Sequence, residues 1–200
     1  MKPAKKYLKR LRKDLKSKKG MRNAAKFAIA FCALFLFGIL VAIPATSGFW
    51  QGMGVWHANA VSGLLSSVFG IQNEVDGNII FMGVQGQEYG FVVSQLCSGD
   101  VEVALLAALM LATFEVLLIW RVVGAVVGAS VLLLMNPVRI AITLAITSGS
   151  GLETGDFYHS IIFRLFLFVL LVLCYFAWYN KTRGRKSQLQ ERITNALARK

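Results

Sequence analysis

Three residues of this 200-residue chain have side chains suited to acyl transfer: Cys97, Arg139 and His159. Cys97 lies in the polar stretch Gln95-Leu96-Cys97-Ser98-Gly99-Asp100, at the start of an apolar run. A helix beginning near Ser98 would turn its free N–H groups and dipole toward the sulfur and favour thiolate, with Asp100 in partial opposition. Cys32 and Cys174 lie inside apolar runs, where a free cysteine acts as a small hydrophobe, so Cys97 has no disulfide partner on its own side. His159 opens the last apolar run and could move a proton. Arg139 falls near the end of the third run, one turn after Asn136-Pro137. An isolated arginine at that depth can snorkel to the nearer interface. Alternatively, the proline bends the helix, frees carbonyls and aims Arg139 inward. A thiol nucleophile needs a base and a fixed donor for the developing oxyanion, and His and Arg supply both. One Cys and two separated His residues lack the spacing of a zinc site, so neither a metal nor a cofactor is expected. The second histidine, His57, sits beside Trp56 and reads as an interfacial residue.

These residues must be positioned by membrane-spanning helices. Hydrophobic residues make up 56% of the chain and charged residues 16%, a balance that excludes a water-soluble globule. Runs of about 20 apolar residues, enough to cross roughly 30 Å of hydrocarbon, occur at about 24–43, 98–119, 122–146 and 160–179. The expected fold is an all-α, four-helix transmembrane bundle. The outer segment 44–97 would add an amphipathic helix over about 49–69 and a small β-hairpin turning at Asp76-Gly77-Asn78, with a further β-prone run at 89–93. The intramembrane carboxylate Glu102 and the cation Arg164 each lie five residues inward of Cys97 and His159. The expected pairing is Glu102 with Arg164 beneath the site, or else Glu102 with Arg139.

Charge sets the orientation. Residues 1–26 hold twelve Lys and Arg against one acid, residues 181–200 hold seven against one, and the 154 residues between hold three against eight. Segments 45–98 and 147–159 contain no Lys or Arg. The positive-inside rule then places both termini and Arg121 in the cytoplasm and the long polar loops outside. Three parts result: a basic tail at 1–23, a membrane domain at 24–180 and a second basic tail at 181–200. The positive charge belongs to the tails, with no basic, aromatic-interleaved surface for a nucleic acid. This topology, set without reference to the three residues, brings Cys97, Arg139 and His159 to one face at similar depth.

The order Cys97-Ser98-Gly99 at a span entrance, Asn136-Pro137-Val138-Arg139-Ile140 near the next span's exit and His159 at the entrance of the last resembles the exosortase/archaeosortase family. The chain is similar to short forms such as exosortase H. The resemblance implies a membrane-embedded cysteine transpeptidase of a prokaryotic cell membrane that cuts a C-terminal sorting tail from exported proteins and joins the new carboxyl end to an acceptor. An amine, for which a lipid headgroup is one source, or water would complete the transfer. The resemblance also implies Cys97 as nucleophile, Arg139 as transition-state stabiliser and His159 as acid and base. Ser98, Asp100, Asn136, Glu102 and Arg164 are the candidate supporting residues around them. A purely hydrolytic membrane protease and a non-catalytic four-span assembly or transport protein remain as alternatives.

Overall fold

The computed structural model describes residues 18–182 apart from Gln95, Leu96 and Ser98; of Lys18, Lys19, Phe163 and Arg164 it describes the backbone alone. The expected supporting residue Ser98, the Glu102–Arg164 pair and the greater part of both basic tails therefore lie outside the described residues. The described chain is mostly helical with one small sheet. Helix α1 (Lys18–Phe37) continues through a π-helical turn, Gly38–Ala42, into a last turn, Ile43–Ala45. Pro44, which has no N–H to donate, falls in that last turn, and the chain leaves helical geometry at Thr46. Helix α2 (Ser47–Val68) follows, then strands β1 (Asn73–Asp76), β2 (Ile79–Val84) and β3 (Gln87–Val92). Helix α3 (Asp100–Ala112), the long helix α4 (Leu118–Ser150), a short α5 (Leu152–Phe157), a π-helical turn (Tyr158–Ile162) and helix α6 (Phe163–Thr182) complete the order.

Among the described residues, three helical stretches are long and apolar enough to cross a membrane: Gly20–Ala45, Leu118–Ser150 and Leu152–Thr182. The expected span at 98–119 is instead the 13-residue α3, roughly 20 Å long. The helix stops because Thr113 leaves helical geometry, its hydroxyl donating to the Leu109 carbonyl at 2.8 Å. The Arg121 guanidinium takes up the Leu111 carbonyl at 2.9 Å and lies over the Phe114 ring. The connection is thus at Thr113–Leu117, and Trp120-Arg121, expected as the turn, lies in the first turn of α4.

The segment between α2 and Cys97 forms an antiparallel meander in the order β1-β2-β3. Gly77-Asn78 makes its first turn, and Gln85-Gly86, both with positive φ, makes the second. The side chains of Ile80, Met82 and Val84, at alternate positions along β2, point into a core shared with Ala58, Val61 and Leu65 of α2 and Ile140, Ala141 and Leu144 of α4. Along α2 the buried positions Trp50, Gly54, His57, Ala58, Val61 and Leu65 recur at helical spacing, while Phe49, Val55 and Trp56 are exposed. A second core joins Leu106 and Met110 of α3, Leu132 of α4 and Leu171 of α6. Helices α4 and α6 meet tightly at Gly124: a Cβ there would run into the Trp178 indole, whose N–H donates to the Trp120 carbonyl at 2.9 Å.

Candidate functional site

Cys97 sits in a short turn between the sheet and α3, its N–H donating to the Ser94 carbonyl at 2.9 Å. The turn ends at Gly99, whose φ of +82° is a left-handed conformation that a side chain would strain; this is the physical reason for glycine immediately before α3. From α4, Asn136 Nδ2 donates to the Cys97 carbonyl at 2.5 Å, and an Arg139 guanidinium nitrogen donates to the same oxygen at 3.3 Å. Asn136 is 1% exposed and Arg139 5%. Two buried polar side chains thus converge on one carbonyl, and Arg139 faces the bundle interior instead of snorkelling. The Ser94 hydroxyl donates to Cys97 Sγ at 3.4 Å.

His159, in the π-helical turn between α5 and α6, interacts with the thiol. A hydrogen bond between the Cys97 thiol and the His159 imidazole is the main cause that lowers the thiol pKa to about 7. Burial opposes that shift, and the contacts from Ser94 and the charge on His159 add to it. Cys97 and His159 share a cavity of about 340 Å³. Phe91, Val92 and Val93 form one wall, Ile140, Thr143, Leu144 and Thr147 of α4 the floor, and Leu152, Gly155 and Asp156 the other wall. Thr143 and Thr147 donate their hydroxyls to the carbonyls of Arg139 and Thr143, so the floor is apolar in effect. A larger open cavity of about 1160 Å³ lies among Lys26, Thr113, Glu115 and Tyr179, and neither a cysteine nor a histidine lines it.

Residues 19–177 match the model of the transmembrane exosortases. The chain belongs to the transmembrane exosortase family. Family membership, together with three long apolar helices, makes this exosortase a multi-pass membrane protein. Neither curated proteins nor solved structures give a match to the chain.

The exosortase fold thus brings Cys97, Asn136, Arg139 and His159 together. It does not bring Asp100 into the cavity: that side chain is buried at the start of α3, where its carboxylate accepts the Val101 N–H at 2.7 Å. Glu102 is half-buried on α3 and does not line the cavity either. Among the described residues, no group of three or more His, Cys, Asp or Glu is gathered to hold a metal ion.

His57 has a structural part that the sequence reading missed. It is fully buried, not interfacial, and its Nε2 lies 3.2 Å from the Leu133 carbonyl. Leu133 is four residues before Pro137, so its carbonyl is the one that the proline, having no N–H, leaves without its helical donor. The imidazole fills that gap one turn below Asn136 and Arg139, and since a carbonyl only accepts, Nε2 carries the proton. Burial lowers the His57 pKa, the Leu133 hydrogen bond opposes this, and the Arg139 charge lowers it further; the ring is neutral at pH 7. Asp156, one helical turn before His159, was the other omission; it lines the cavity and accepts a hydrogen bond from the Ser160 hydroxyl at 3.3 Å.

Proposed function

We propose that this exosortase is a cysteine transpeptidase that cleaves a C-terminal sorting segment from exported, membrane-tethered proteins at the outer membrane face. The observation that carries this reading is the Cys97 thiol, held against His159 in a largely apolar cavity with a pKa of about 7. An ordinary cysteine is only a few per cent thiolate at pH 7. Here the lowered pKa raises the reactive share. The thiolate attacks the scissile carbonyl, forming a sulfur–carbon bond. As the tetrahedral intermediate collapses, the carbon–nitrogen bond breaks and His159 gives its proton to the leaving amine. An acceptor amine, for which a lipid headgroup is one source, then attacks the thioester. His159 takes the acceptor's proton, an amide forms and the Cys97 thiolate is released.

Arg139 is assigned to the oxyanion, through a fixed positive charge beside Cys97. Its bond to the Cys97 carbonyl, together with that of Asn136, holds the nucleophile's turn in place. The Lys and Arg asymmetry supports an extracytoplasmic site, since α2, the sheet, Cys97 and His159 belong to segments without Lys or Arg.

The test is processing of exported proteins in cells that carry the gene. Cys97→Ala should abolish it, while Cys32→Ala and Cys174→Ala should leave it close to normal. Mass spectrometry of the new C-terminus separates an amide-linked product from a free carboxylate, and a free carboxylate alone would make the enzyme a hydrolase. Processing at the normal rate in Cys97→Ala would refute the cysteine mechanism.

A further inference from the structure

Strand β3 borders the cavity with its C-terminal half, and its outer edge is unpaired among the described residues. The register fixes which backbone groups face outward. Val84 pairs with Gln87, Met82 with Tyr89 and Ile80 with Phe91, and the Val93 N–H donates to the Asn78 carbonyl at 2.8 Å. Residues 87, 89, 91 and 93 therefore turn their hydrogen-bonding groups toward β2. Those of Glu88, Gly90 and Val92 point away from it. All three residues are exposed, Val92 by 57%. The Val92 carbonyl accepts the Ser94 N–H at 3.1 Å, which leaves three outward N–H groups and the carbonyls of Glu88 and Gly90.

An open edge is a hazard that proteins usually block with lysine, proline or a bulge. This strand has no lysine and no proline, and it pairs with β2 in unbroken register. Leu152, Gly155, Asp156 and His159 line the same cavity, so the C-terminal end of β3, α5 and Cys97 border one shared space.

We propose that the substrate binds by β-addition: an extended peptide segment pairs in parallel with the free edge of β3 and presents its scissile carbonyl to Cys97. This rests on the transpeptidase reading above and specifies how that site takes its substrate. The segment is the one preceding the scissile bond, because the acyl half must stay bound through the thioester while the leaving half departs. Running toward Cys97 at the end of β3, it is parallel to the strand. Main-chain hydrogen bonds provide sequence-tolerant affinity, and alternate side chains on the Phe91 face enter the apolar cavity. The recognised class is thus an extended, apolar, acyl-side segment, with preference expressed at every second residue.

The test uses the full-length protein in detergent, with Cys32 and Cys174 replaced by Ala. The probe is acetyl-Val-Ala-Val-Ala chloromethyl ketone, together with versions N-methylated at one residue each. Alkylation of Cys97 is followed by mass spectrometry, with iodoacetamide as the reference reagent that needs no docking. The peptide reagent should show saturation, and N-methylation should slow it about 5–10-fold at alternate residues only, the loss of one hydrogen bond. Proline is tolerated in an edge strand where its missing N–H would face outward. Val92→Pro and Glu88→Pro should therefore each lower the ratio of peptide to iodoacetamide rates about 5–10-fold. Absence of saturation, equal effects of N-methylation at every residue, or an unchanged ratio in both proline variants would overturn β-addition. Failure of iodoacetamide itself to react with Cys97 near pH 7 would instead count against the thiolate reading of the site.

Discussion

At the scale of single residues, the reactivity of Cys97 depends on which groups reach its sulfur and its carbonyl. Asn136 and Arg139 bind the carbonyl, whereas His159 is the chief cause of the thiol's lowered pKa. The rate of alkylation by iodoacetamide should therefore rise with pH through a midpoint near 7. In His159→Gln the midpoint should move up toward the ordinary thiol range of about 8.5. Because folding lowers this pKa, the associated stability is fully present above that range and is lost as pH falls through about 7. A midpoint unmoved by His159→Gln would assign the activation to Ser94 and the start of α3.

Among the elements, the hinge of the site is the pairing of α2 with the proline gap of α4. His57→Leu leaves the Leu133 carbonyl buried without a donor, which should cost about 1–3 kcal/mol and lower processing. Pro137→Ala restores the helical N–H to that carbonyl, so His57→Leu should be milder in its presence. A double-mutant cycle on thermal unfolding in detergent should give a coupling above about 0.5 kcal/mol, and strict additivity would show that the two residues act independently. Processing adds a second readout. Pro137→Ala should reduce it even where stability is kept, because the restored N–H competes with His57 for the Leu133 carbonyl, one turn from Asn136 and Arg139.

For the whole molecule, the two cores divide the labour. One joins α3, α4 and α6 within the bundle, and the other joins the sheet, α2 and the last turns of α4, with Cys97 packed against it. The proposed topology puts the second core outside and the basic tails inside. In intact cells of the Cys32→Ala, Cys174→Ala variant, a membrane-impermeant thiol reagent should label Cys97. A cysteine placed at Lys186 should be labelled only after the membrane is opened. Labelling of that position from outside would reverse the orientation and remove the active site from the face where exported proteins pass.

Much of this was determined by the sequence itself. Long apolar runs, the basic ends, the Gly77-Asn78 turn and the trio Cys97, Arg139 and His159 are local signals, because each depends on residue type and near spacing alone. Composition marked α2 as an amphipathic helix, whereas packing against β2 and α4 separated its buried Val61 and Leu65 from its exposed Phe49 and Trp56. Other features required the tertiary structure. Apolar composition continues past Ala112, so the shortness of α3 shows only once Thr113 and Arg121 have taken up its final carbonyls. Pro137 announces a freed carbonyl at Leu133, but its donor, His57, lies 76 residues earlier in the chain, and no local pattern connects them. Likewise, Arg139 could be placed near the outer surface by counting residues, whereas its bond to the Cys97 carbonyl depends on how α4 packs against the turn before α3. Periodicity records which face of an element is buried; which partner fills that face is decided by packing between elements distant in sequence.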